Sequence, residues 1–176
     1  MYVTFQLRSR TTSLSASSPS STPYLDYANF TLSYLDTDAG GKGIGSATIS
    51  IRKNGTLLTL GSQYLAVQTA PGVWAISVNS TCLNGLTTTR IDVYATWFGT
   101  PYYANNTRSV DITVIRRPTA VDVVTPPSLT RYLDNITFTV GYSDVERRSY
   151  IGGIINNILI LNGTKYLTSG QYKVVA

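Results

Sequence analysis

The sequence predicts an all-β chain of antiparallel β-sandwiches. Apolar and polar residues alternate with period two, as Phe30, Leu32 and Tyr34 do against Thr31 and Ser33. Turn-forming pairs such as Asn54-Gly55 and Pro71-Gly72 separate the alternating segments. The chain also carries an imperfect copy of itself. At an offset of 108 residues, Tyr24-Leu25-Asp26 falls on Tyr132-Leu133-Asp134, Tyr34 on Tyr142, Asp36 on Asp144, and Asn54-Gly55-Thr56 on Asn162-Gly163-Thr164. A slip of one residue extends the match backward and lays residues 3–12 on 110–119. A repeat this long is a whole small domain rather than a solenoid unit. It divides the chain into the last strand of a preceding unit (1–11), one complete sandwich (12–118) and the first part of a following unit (119–176).

The elements follow in order. Residues 13–23 (SLSASSPSSTP) read as a short edge strand and a proline-marked linker where one unit hands over to the next, and residues 120–130 repeat the arrangement. A strand runs through Phe30, Leu32 and Tyr34. The segment from Asp36 to Gly43 is glycine-rich, lacks a phosphate-binding spacing, and reads as a long hairpin loop. Ala47, Ile49 and Ile51 line the next strand, which Asn54-Gly55 turns into residues 56–60. Residues 63–69 form another. After Pro71-Gly72 come Trp74, Ile76 and Val78 on one face, then Ile91, Val93, Ala95 and Trp97, then Val110, Ile112 and Val114. The expected core is Phe30, Tyr34, Ile49, Trp74, Ile76, Val93, Trp97 and Ile112.

Composition narrows the function. The chain has no histidine, which removes the usual general base and the commonest metal ligand, so no enzyme is expected. The single cysteine, Cys82, permits no internal disulfide and reads as a partly buried small hydrophobe. The net charge of +5 is scattered in pairs such as Arg52-Lys53 and Arg116-Arg117, without the basic run and interleaved aromatics of a nucleic-acid site. No apolar run approaches the roughly 20 residues of a membrane helix. Residues 1–10 alternate like a strand and do not read as a signal peptide.

Six asparagines open Asn-X-Ser/Thr triplets: Asn29, Asn54, Asn79, Asn105, Asn135 and Asn162. This exceeds what composition alone would supply. It points to N-glycosylation and an extracellular, cell-surface setting, although Asn-Gly-Thr at 54 and 162 also suits a hairpin turn. Acidic residues recur at matched places, with Asp26, Asp36 and Asp38 in one copy and Asp134, Asp144 and Glu146 in the other. Such carboxylates suit either calcium or turn formation, and calcium is the only cofactor the sequence offers. Tyr102 and Tyr103 are candidates for exposed contact with a sugar, whereas Trp74 and Trp97 alternate into the core.

The carrying segments Gly45-Ser46-Ala47-Thr48-Ile49, Gly72-Val73-Trp74-Ala75-Ile76 and Tyr103-Ala104 resemble the tandem immunoglobulin-like repeats of archaeal cell-surface and S-layer-type proteins. More distantly, the pattern is similar to bacterial adhesin stalk domains. The resemblance covers nearly the whole chain, lacks the cysteine pair of antibody domains, and assigns no ligand. It implies tandem immunoglobulin-like sandwiches in a structural stalk, sheath, S-layer or filament subunit. The partners would be copies of the chain or neighbouring repeats, together with covalent N-glycans. The alternative is a cell-surface adhesion module for a glycan or protein ligand.

Overall fold

The computed structural model describes residues 6–126, 129, 131, 134–152, 161–162 and 165–166. They fall into two compact units, Met1–Arg116 and Arg117–Ala176. In the first unit the strands are β1 (Thr12–Ala16), β2 (Thr22–Pro23), β3 (Tyr27–Asp36), β4 (Lys42–Gly43), β5 (Thr48–Lys53), β6 (Thr56–Leu57), β7 (Tyr64–Ala70), β8 (Val73–Asn79), β9 (Thr88–Thr96) and β10 (Asn106–Ile115).

One sheet runs β1-β3-β8-β7, with β4 on the end of β3, and the other runs β2-β10-β9-β5-β6. Every pairing is antiparallel except β2 with β10. With the short β2, β4 and β6 set aside, the first, second, fifth and fourth strands share one sheet, and the third, sixth and seventh share the other. That is the strand order of an immunoglobulin-like sandwich.

The period-two alternation places one face of each sheet inside. Leu32, Tyr34, Ile51, Ile76, Ile91, Val93 and Ile112 are fully buried in a single core. Antibody domains tie the second and sixth strands together with a disulfide. Here the inner faces of β3 and β9 carry Phe30, Leu32, Ile91 and Val93, so apolar burial closes the sandwich. Of the expected core, Trp97 is only half-buried and packs at the margin.

Two turns follow from residue type. Asn54 and Gly55 both have positive φ, 49° and 80°, and join Lys53 to its cross-strand partner Thr56. This is the two-residue turn that Asn-Gly favours. Pro71-Gly72 joins β7 to β8, and Gly72 has φ 76°. A Cβ there would stand 2.5 Å from the Gly43 Cα and 2.6 Å from the Tyr34 carbonyl oxygen, so the approach of two backbones demands glycine.

The short edge strand read in residues 13–23 is β1, at the margin of its sheet and paired with β3, while the stretch read as a linker ends in β2, which pairs with β10. Only three residues separate β10, ending at Ile115, from β11, beginning at Thr119. The glycine-rich segment is the hairpin loop read in the sequence, joining β3 to the antiparallel β4. Asp36 caps a 3-10 turn at Thr37–Ala39, Gly40 ends it at φ 68°, and β4 returns to β3. In residues 1–11, residues 1–5 lie outside the described residues, Gln6 to Ser9 form no strand, and Arg10 makes one parallel bridge to Tyr103.

The second unit contains β11 (Thr119–Thr125), β12 (Thr139–Asp144) and β13 (Ser149–Tyr150) in one sheet, and β14 (Leu161–Asn162) paired with β15 (Lys165–Tyr166). The register of β11 on β12 sets Thr119 opposite Asp144 and Val121 opposite Tyr142. In the first unit Thr12 stands opposite Asp36 and Leu14 opposite Tyr34. The two strand pairs therefore share one register at matched sequence positions.

Candidate functional site

The matched acidic residues are held by arginine and backbone donors. Arg10 Nε donates to Asp36 Oδ2 at 2.6 Å, while Asp36 Oδ1 accepts from the Ala39 N–H at 3.1 Å. Asp38 accepts from the Thr11 N–H at 2.8 Å, which holds its carboxyl below the usual range. In the second unit Arg117 Nε donates to Asp144 Oδ2 at 2.5 Å and Nη2 donates to Oδ1 at 3.2 Å. The Glu146 and Arg147 N–H groups donate to Asp144 Oδ1 at 3.1 and 3.0 Å. The bond from Arg117 is the main cause that brings the Asp144 carboxyl down to about 2. Arg117 also stands 3.5 Å from the Glu146 carboxylate. Among the described residues no three His, Cys, Asp or Glu side chains gather as a metal site. Asp26 lies by the β2–β3 turn, and Asp134 is exposed.

Sequence reasoning noticed the acids and missed their arginines. The signal was present: the slipped alignment that lays 3–12 on 110–119 also lays Arg10 on Arg117.

The outer faces of the two sheets differ. On the β2-β10-β9-β5-β6 side, Arg52, Arg90, Asp92 and Asp111 point outward among polar neighbours. Arg52 stacks over the Tyr94 ring at 5.4 Å, and Ser109 Oγ donates to Asp92 at 2.7 Å. On the β1-β3-β8-β7 side the outward residues are Ser13 and Ser15, alternate residues from Tyr27 to Leu35, Leu65, Val67 and Thr69, and alternate residues from Val73 to Asn79. None of these is charged.

That uncharged face carries Asn79 at one end and Asn29 on the next outward pair in from it. Asn29 is exposed, and its Oδ1 accepts from Ser77 Oγ at 2.7 Å. Asn79 is half-buried, and its Oδ1 accepts from the Thr81 N–H at 3.0 Å and from Thr81 Oγ1 at 2.9 Å. An open cleft of about 440 Å³ lies beside Asn29, lined by Ser20, Ser21, Thr22, Pro23, Asp26 and Tyr27. Asn54 is exposed at its hairpin tip. Asn105 is exposed with Oδ1 accepting from the Trp97 N–H at 3.3 Å, and Asn135 is exposed. Asn162 ends β14, and its side chain lies outside the described residues.

The two candidate contact tyrosines separate. Tyr102 is 68% exposed. Tyr103 is half-buried against the core, edge-on to Trp97 at 5.6 Å between ring centroids, so it is a packing residue. Trp97 Nε1 donates to the Pro101 carbonyl at 3.0 Å. Cys82 is half-buried, its Sγ–H donates to the Asn79 carbonyl, and burial pushes its thiol up, which suits an inert side chain. No helix among the described residues is long and apolar enough to cross a membrane.

No known protein family matches the chain in sequence, and no curated protein does. Solved structures with a similar arrangement include the titin M3 domain, at 17% identity and TM-score 0.39 over 58% of this chain and 97% of that one. The titin M4 structure has 12% identity and TM-score 0.40 over 62% and 99%. A twitchin kinase fragment with immunoglobulin domains from C. elegans has 16% identity and TM-score 0.38 over 56% and 20%. At these scores the assignment rests on the chain's own strand order: its first unit is an immunoglobulin-like antiparallel β-sandwich.

Proposed function

We propose that the chain is a structural component of an extracellular surface, built from tandem immunoglobulin-like domains bearing N-glycans, as a stalk, sheath, S-layer or filament subunit. The observation that carries this reading is recurrence. The same strand pair, in the same register and clasped by the same arginine–aspartate contact, occurs at matched positions in both units. A repeated structural unit is a way to build length, whereas a catalytic site needs a unique constellation of acid, base or nucleophile. The sequons support the extracellular setting, because five of the six asparagines stand on exposed or half-exposed surface of the described residues.

The test is immunogold electron microscopy of intact source cells with an antibody against the chain. The reading expects label on unpermeabilised surfaces, on ordered arrays or fibres. Label that appears only after permeabilisation overturns it.

A second reading, an adhesion module for a glycan or protein ligand, is favoured by one observation. Phe98 and Tyr102, both in the β9–β10 connection, are 83% and 68% exposed. Saturable binding on a glycan array, abolished by Tyr102→Ala, would select it.

A further inference from the structure

The uncharged outer face of the β1-β3-β8-β7 sheet poses a solubility problem. Across its strands, Thr31 pairs with Ala75 and Ala75 with Val67, while Asn29 pairs with Ser77 and Ser77 with Leu65. Leu65 and Val67 are 43% and 59% exposed on β7, an edge strand with no charge and no proline. Proteins ordinarily protect such an edge with lysine, proline or a strong bulge, because its free N–H and C=O groups recruit another strand. The bulge between Gln68 and Ala70 marks only the end of β7.

We propose that an N-glycan on Asn29 is the protecting device: it covers this face and keeps it from pairing with a second copy of the chain. The inference rests on the reading of the sequons as glycosylated. Asn29 is placed for the task. It stands on the face itself near the start of β3, two strands from Leu65, which is about 10 Å at normal strand spacing. Its Oδ1 is taken up by Ser77, which leaves the amide nitrogen as the attachment atom. A neutral, hydroxyl-rich sugar chain complements a face of Ser, Thr, Ala and Val. The adjoining cleft offers its first sugars the hydroxyls of Ser20 and Ser21 and the exposed ring of Tyr27.

The experiment uses the full chain made in a secretory host, with glycopeptide mapping and sedimentation over a range of concentrations. Thr31→Ala removes the sequon while retaining the Asn29–Ser77 bond, and Asn29→Gln removes the acceptor asparagine itself. Both are expected to tighten self-association at least tenfold relative to the glycosylated chain. Adding Val67→Lys to either should restore the original behaviour, and Asn105→Gln should change nothing. Asn29 occupied in the parent, with neither sequon variant associating more tightly, overturns the covering role while leaving glycosylation intact. Association that Val67→Lys fails to reverse also overturns it. An unmodified Asn29 overturns the proposal, and unmodified peptides at every sequon overturn the glycosylation reading as well.

Discussion

Tyr34 and Tyr142 occupy matched positions on matched strands, yet their surroundings differ. Tyr34 is completely buried, and its hydroxyl donates to the Ala104 carbonyl at 2.5 Å, which also accepts from Thr12 Oγ1 at 2.9 Å. Tyr142 is half-buried, and its hydroxyl donates to Thr119 Oγ1 at 2.9 Å. Leu14 is 9% exposed where Val121 is 68% exposed, and Phe30 is 6% exposed where Phe138 is 39% exposed. Register and the arginine–aspartate clasp are thus encoded locally, within one strand pair. Burial of the inner face needs the opposite sheet, which in the first unit brings Ile51, Ile91 and Ile112 against it.

The comparison can be broken most directly at the phenylalanines. Phe30→Ala removes a buried ring and should cost about 3–5 kcal/mol, whereas Phe138→Ala should cost about 1 kcal/mol or less. Denaturant unfolding followed by Trp74 fluorescence reads the first, and amide exchange across β11 and β12 reads the second. Equal losses in the two units would remove the distinction.

Gly72→Ala comes next. It places a Cβ against the Gly43 Cα and the Tyr34 carbonyl at a left-handed residue, and should destabilise the first unit by about 2–4 kcal/mol. Gly40→Ala, at φ 68° with open space around its Cβ, should cost only about 1 kcal/mol. Thermal unfolding of the two variants measures the difference.

The clasp of the second unit gives a pH test. The folded-state pKa of Asp144 lies at about 2, below the ordinary value of about 3.9 expected in the unfolded chain. A depressed carboxylate contributes its full stabilisation above the unfolded value and loses it as the pH falls through the folded one. Protection of the β11–β12 amides should therefore hold down to about pH 4 and decline towards pH 2. Asp144→Asn should lower protection at neutral pH and flatten that acid decline. The smallest effect is Arg52→Ala, which removes an exposed stack on Tyr94 and should cost about 0.5–1 kcal/mol by thermal unfolding.

Much of the first unit was legible because its core strands alternate cleanly and its tight turns have the residues their dihedrals require. The Asn54-Gly55 and Pro71-Gly72 turns, and the buried faces of β3, β8 and β9, follow from those signals. In residues 13–23 the edge strand β1 was legible, but the pairing of Thr22-Pro23 with β10 was not, because Ser and Pro mark linkers and short edge strands alike. The loop from Asp36 to Gly43 folds back as the hairpin the sequence suggests; what no local pattern announces is the close approach of Gly43 to Gly72, 29 positions away. Tyr103 differs from Tyr102 for a related reason: which neighbour faces Trp97 depends on the path of the β9–β10 connection. The candidate acids were found by repetition, but their arginines lie 26 or 27 positions away and come together only when the strands pair.

The central functional claim, a glycosylated surface structure, meets its most direct test in the mass of the native protein, resolved peptide by peptide at the sequons. The account predicts hexose-containing additions at exposed asparagines, Asn29 and the Asn54 hairpin tip among them. A native mass equal to that of the bare polypeptide would contradict it.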